Sequence, residues 1–162
     1  MSRRFVDFVD TVSRACGVIS AALLIFAMFI VCQMIFMRYV FRAATVWQTE
    51  AVVFGATAAI FLGAPYVLLK KGHVGVDVVQ TMVNSTTRRR LEQTGSVLSL
   101  IFCLMMMVAT GIHLYEALEG GWTTPTVAAV PLWIPVAPMF FGFLLLCLQY
   151  VSELIKLSGA RS

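Results

Sequence analysis

Charge is what this chain has least of. Only 12% of its 162 residues are Asp, Glu, Lys or Arg, whereas 60% are hydrophobic, far from the usual soluble balance. The middles of its apolar stretches hold no acid or base. Histidine is nearly absent, with only His73 and His113. The four cysteines, Cys16, Cys32, Cys103 and Cys147, form no CxxC pair and lie in or beside apolar stretches. They read as packed free thiols rather than a disulfide or metal site. No glycine-rich phosphate loop, metal-ligand cluster or nucleophile–base pattern occurs, which argues against an enzyme with its own active site. No cofactor is expected in this chain.

What the chain has is length of apolar sequence. Four stretches, roughly 15–37, 47–69, 94–115 and 131–152, fill most of it. A hydrocarbon core of about 30 Å takes about 20 helical residues to cross, and each stretch is long enough. The expectation is an all-α integral membrane protein, a single membrane domain of four transmembrane helices over residues 1–162. The first stretch follows Arg3, Arg4 and Arg14, as a signal peptide would, but it is too long for one and has no small-residue cleavage site. It reads as a retained helix.

The basic residues set the orientation. Arg3, Arg4, Arg14, Lys70, Lys71, Arg88, Arg89, Arg90, Lys156 and Arg161 fall on one side of a four-span chain, and only Arg38 and Arg42 on the other. Over short loops that bias places both termini in the cytoplasm. Tyr39, Trp47, Tyr115, Trp122 and Trp133 all fall at the opposite, outer ends, where amphipathic rings prefer to sit. The net charge of +4 therefore reads as topology and lipid-headgroup contact, with Arg88, Arg89 and Arg90 the headgroup candidates. It does not read as nucleic-acid binding.

Three local patterns add detail. Gly55, Ala59 and Gly63 recur every four residues in the second stretch and predict a ridge that another helix can approach closely. Pro65 should kink that helix near its inner end, and Pro138 the fourth helix. Met105, Met106 and Met107 read as adaptable filler. The segment 72–90 is too short and polar to span. Val74, Val78, Met82, Val79 and Val83 form an apolar face opposite Asp77 and Gln80, which predicts a short amphipathic helix over Val76–Val83 lying in the interface between the second and third spans. A strand also suits its β-branched residues, but an open strand edge is costly at membrane depth.

Glu50 is the only acid inside an apolar run, at the outer end of the second stretch. Arg38 ends the first stretch and is its nearest candidate partner. Three readings are open: two residues reaching separately for water, an ordered pair holding the outer turn, or a transport-coupling carboxylate. The two histidines raise a haem site, but the predicted topology puts them on opposite surfaces.

Several of these segments, taken in order, resemble the small membrane subunit (DctQ type) of tripartite ATP-independent periplasmic, or TRAP, transporters. They are Arg38-Tyr39-Val40-Phe41, Trp47-Gln48-Thr49-Glu50, Gly72-His73-Val74-Gly75-Val76-Asp77, and Thr124-Pro125 followed by Pro131-Leu132-Trp133-Ile134-Pro135. The resemblance covers most of the chain. It implies a scaffold in the bacterial inner membrane. The large multi-span membrane subunit would carry the substrate and sodium sites and move as an elevator. A periplasmic substrate-binding protein would deliver an organic acid and dock partly on this chain. The resemblance also marks Arg38, Tyr39, Trp47, Glu50, His73, Asp77, Pro131, Trp133 and Pro135 as structural or interface candidates, beside the Gly55–Ala59–Gly63 ridge. Two other classes compete. A self-contained four-helix transporter acting as a homodimer would need an acid in its first helix, where only Gln33 is strongly polar. An anchor of a respiratory complex would need better-placed histidines.

Overall fold

The computed structural model describes residues 2–42, 45–70, 85–126 and 128–159. Four helices account for nearly all of them: α1 (Ser2–Val40), α2 (Val46–Leu69), α3 (Ser85–Glu119) and α4 (Trp133–Gly159). All four are long and apolar enough to cross a membrane. The expected interfacial helix, Val76–Val83 with Asp77, and His73 before it lie outside the described residues. Ser85–Arg90, the end of the expected interfacial segment, open α3.

The helices run up and down. The start of α1, the end of α2, the start of α3 and the end of α4 share the basic end, and the opposite end is the aromatic end. At 1.5 Å per residue α1 and α3 are about 58 and 52 Å long, well beyond a bilayer core. They extend past the apolar stretches chiefly at the basic end, where Ser2–Arg14 and Ser85–Gln93 continue the helices.

Small residues set how closely the helices approach. On α1, the Ser20 hydroxyl donates to the Ala59 carbonyl of α2 at 2.6 Å. A Cβ at Gly63 would lie 2.6 Å from Ser20 Oγ, and one at Gly17 would lie 2.5 Å from the Tyr66 ring. The α2–α4 contact brings backbone against backbone: a Cβ at Gly142 would stand 2.6 Å from the Phe61 carbonyl oxygen. Beside it the Phe61 and Phe143 rings pack tilted, centroids 5.2 Å apart. Phe143, Cys147 and Cys103 then form a buried cluster that joins α4 to α3, with Met106 and Met107 packed against it.

The bundle is not closed. α1 packs on α2 and α4, and α4 packs on α2 and α3. Among the described residues α3 leans chiefly on α4, which leaves an open groove between it and the α1–α2 pair. α2 continues helical through a buried Pro65 to Leu69, and α4 through Pro138. Helix α4 begins at Trp133, which puts Pro135 in its first turn, where the amide is unpaired anyway. Pro131 stands before the helix, in a backbone bridge to Thr123.

Candidate functional sites at the two ends of the bundle

At the basic end a polar network fastens α1 to α4. Asp10 and Ser13 are one turn apart on α1, and Gln149, Ser152, Glu153 and Lys156 follow one face of α4 at helical spacing. Ser13 Oγ donates to Gln149 Oε1 at 2.8 Å, and Gln149 Nε2 donates to Asp10 Oδ1 at 3.1 Å. Lys156 Nζ lies 2.9 Å from Asp10 Oδ2 and 2.9 Å from Glu153 Oε1. Gln149, Ser13 and Ser152 are fully buried. The amide of Gln149 satisfies a donor and an acceptor at once, which burial in an apolar setting demands. Of these six residues only Lys156 is named from the sequence, and only as a topology signal. The signal was there, as polar residues at three- and four-residue spacing on two helix ends, but it lay at the margins of the apolar stretches.

At the aromatic end the polar groups do not close on one another. Arg38 Nη2 donates to Thr45 Oγ1 at 3.1 Å. It makes no ion pair with Glu50, so the ordered-pair reading is not what this structure holds. Both Glu50 carboxylate oxygens are shielded from solvent and have no donor from the described chain, and neither has Gln48 Oε1. Glu50 lies three turns before Phe61 on the helix and so shares the face of α2 that meets α4, whereas Arg38 sits exposed at the end of α1. That difference in direction keeps the two apart although their helix ends are joined by a short turn.

The aromatic residues at this end are all exposed: Tyr39 at 81%, with Trp47, Tyr115, Trp122 and Trp133 between 44% and 60%. The segment between α3 and α4 is an ordered hairpin-like turn. Thr124 N donates to the Val130 carbonyl and Leu132 N to the Trp122 carbonyl, each at 2.8 Å. Gly121 has φ +57°, the left-handed conformation that glycine adopts without strain. The turn also seats Trp122 against His113, with ring centroids 6.2 Å apart. On α3 the Tyr115 hydroxyl donates to Glu119.

The small-residue ridge divides. Ala59 is buried and Gly63 meets Ser20, so both pack against α1. Gly55 has open space where a side chain would be. The approach of Gly142 to the Phe61 backbone has no counterpart in the sequence analysis, because a lone glycine in an apolar run carries no periodic signal. The cysteines divide too: Cys103 and Cys147 are buried free thiols, whereas Cys32 is exposed on α1.

Fold and sites together define a class, a multi-pass helical membrane protein with its ionisable groups confined to the two ends. Among the described residues no group of three or more His, Cys, Asp or Glu stands together to hold a metal. Comparison with known families makes the class specific. The model of the DctQ component of tripartite ATP-independent periplasmic transporters matches residues 27–159, and the chain belongs to that family. That is a family of transporter components, not of enzymes. None of the curated proteins compared with the chain matches it.

Proposed function

We propose that this chain is the small scaffold subunit of a TRAP-type secondary transporter for organic acids, seated in the inner membrane with both termini in the cytoplasm. It supports the large sodium-coupled elevator subunit and forms part of the surface on which the periplasmic substrate-binding protein docks. The observation that carries this reading is the contrast between spans and ends. The membrane-spanning centres hold no charge with which to bind or couple an ion, so in this reading the sodium and substrate sites belong to the large subunit. The ordered aromatic end, with exposed Tyr39, Trp47 and Trp133 and the Trp122 turn, is the surface suited to a soluble partner.

Reconstitution tests it. The chain alone in proteoliposomes gives no organic-acid uptake under a sodium gradient, and uptake appears only with the large subunit and binding protein present. Robust uptake by the chain alone refutes the scaffold role. Orientation is tested separately, in a background lacking the native cysteines. A cysteine replacing Ser2 stays protected from a membrane-impermeant reagent in intact cells, and labelling from outside overturns the topology.

A further inference from the structure

One polar side chain has no place in the bundle. Gln33 of α1 lies within the first apolar stretch and is exposed. The buried edge of α1, through Ser13, Ser20, Ala27 and Ile30, is turned to α2 and α4. Gln33 points away from it. Its neighbours one turn away are Phe29, Ile30, Phe36 and Met37, none of them a partner for an amide. Among the described residues the Gln33 side chain has no hydrogen bond. Depth keeps water from taking that part. Arg38 and Tyr39 mark the outer end, and Gln33 comes five residues before Arg38, about 7.5 Å further in. Side chains lean toward the start of their helix, and α1 starts at the basic end. The Gln33 amide therefore leans toward the middle of the span, not toward the aromatic interface.

The line on which Gln33 sits has the spacing of a helix seam. Phe26, Phe29, Gln33, Phe36 and Val40 follow one another at alternating steps of three and four, and the four apolar ones are each more than half exposed. Phe36 is steadied edge-on by Phe41, with ring centroids 6.0 Å apart. Steps of three and four mark the face on which two helices pack with a slight left-handed crossing. A single amide in such a seam fixes its register, because it needs a hydrogen-bonding group opposite it at one depth. Acyl chains cover phenylalanine well but offer an amide neither donor nor acceptor. A second copy of this chain would set Phe26, Phe29 and Phe36 against their own equivalents, and those ring pairs would hold the two helices apart around the amides. A helix with small residues opposite the rings comes close enough to reach Gln33.

We infer that this face of α1 is where a transmembrane helix of the large subunit docks, with small residues against Phe26, Phe29 and Phe36 and one hydrogen-bonding side chain opposite Gln33. The inference rests on the scaffold reading and adds to it the face and the depth at which the two subunits meet.

The test mixes the labelled chain and the labelled large subunit at low density in liposomes and reads their association by energy transfer. Gln33→Leu weakens association about three- to tenfold, the range for one interhelical hydrogen bond in a membrane. The same change does not lower the thermal midpoint of the isolated chain, because the amide has no partner there to lose. With p-benzoylphenylalanine in place of Phe29, illumination of the assembled transporter attaches this chain to the large subunit. Association unaffected by Gln33→Leu overturns the inference. A crosslink only to lipid or to a second copy of the chain overturns it too, as does a lowered midpoint for the isolated variant. Each of those failures leaves the scaffold reading standing, provided the unaltered subunits associate. If the unaltered subunits do not associate, the scaffold reading fails and the inference falls with it.

Discussion

The two ends of this bundle handle buried polar groups in opposite ways. At the basic end Asp10, Ser13, Gln149, Glu153 and Lys156 satisfy one another across the α1–α4 contact. At the aromatic end, among the described residues, Glu50 and Gln48 keep acceptor oxygens out of water with no donor, and Arg38 has only a threonine hydroxyl. The α1–α2 seam follows the same gradient, from Ser20 pressed against Gly63 and Ala59 to the open space at Gly55. One end is finished within the chain save for the buried hydroxyl of Ser152, which has no partner among the described residues. The other is left with acceptors for which another molecule would have to supply donors, since a buried carboxylate without partners is costly.

The largest effect should come from the finished end. Gln149→Leu leaves Ser13 without its acceptor and strips Asp10 of one donor in a buried site, a loss of about 3 kcal/mol. Thermal unfolding in detergent should show it as a clear drop in midpoint for the chain alone. An unchanged midpoint would mean that the network adds little and that the two ends do not differ as described.

Next is the seam. Ala59→Leu forces a side chain into the α1 contact and should cost about 1–3 kcal/mol, as overpacking does in cores. Gly55→Leu, at the open position, should leave the stability of the isolated chain within about 0.5 kcal/mol. Equal losses at the two positions would erase the gradient along the ridge.

Glu50→Leu sharpens the comparison because its sign reverses with context. Removing an unpaired buried charge should stabilise the chain alone by about 1 kcal/mol. In the assembled transporter the same change should lower co-purification of a partner or uptake, if a partner provides the missing donor. Loss of stability in the isolated chain would show that Glu50 already has a donor within it.

The smallest effect concerns charge reversal. Arg38→Glu with Glu50→Arg should do no better in uptake than the worse single variant, since the two residues point to different neighbours. The exposed Arg38–Thr45 contact itself is worth only about 0–1 kcal/mol. Recovery by the double variant would restore the ordered pair.

Much of this was legible before any coordinates. Long apolar runs have one solution in hydrocarbon, where every backbone amide must bond within its own segment. The aromatic rings at one end followed from the same physics. The ridge was half legible: a four-residue spacing of small residues shows which face is smooth, but not how far along it the neighbour stays close. The Arg38–Glu50 pairing failed for a related reason. Nearness along the chain brought the helix ends together, but the rotation of α2 turned Glu50 toward α4.

The sequence by itself determined the number of helices, their apolar character, the asymmetry of charge between the two ends and the family resemblance. These depend on composition and period, which are local. Only the tertiary structure decided that Gly142 admits the Phe61 backbone, that Gln149 meets Ser13 and Asp10, 136 and 139 residues away in the chain, and that α3 stands off from α1 and α2 to leave a groove. Those depend on how each helix is rotated and spaced against its neighbours. Helices that are apolar nearly all round do not specify that rotation through their hydrophobic pattern, so close contacts at small residues and a few buried hydrogen bonds fix it instead.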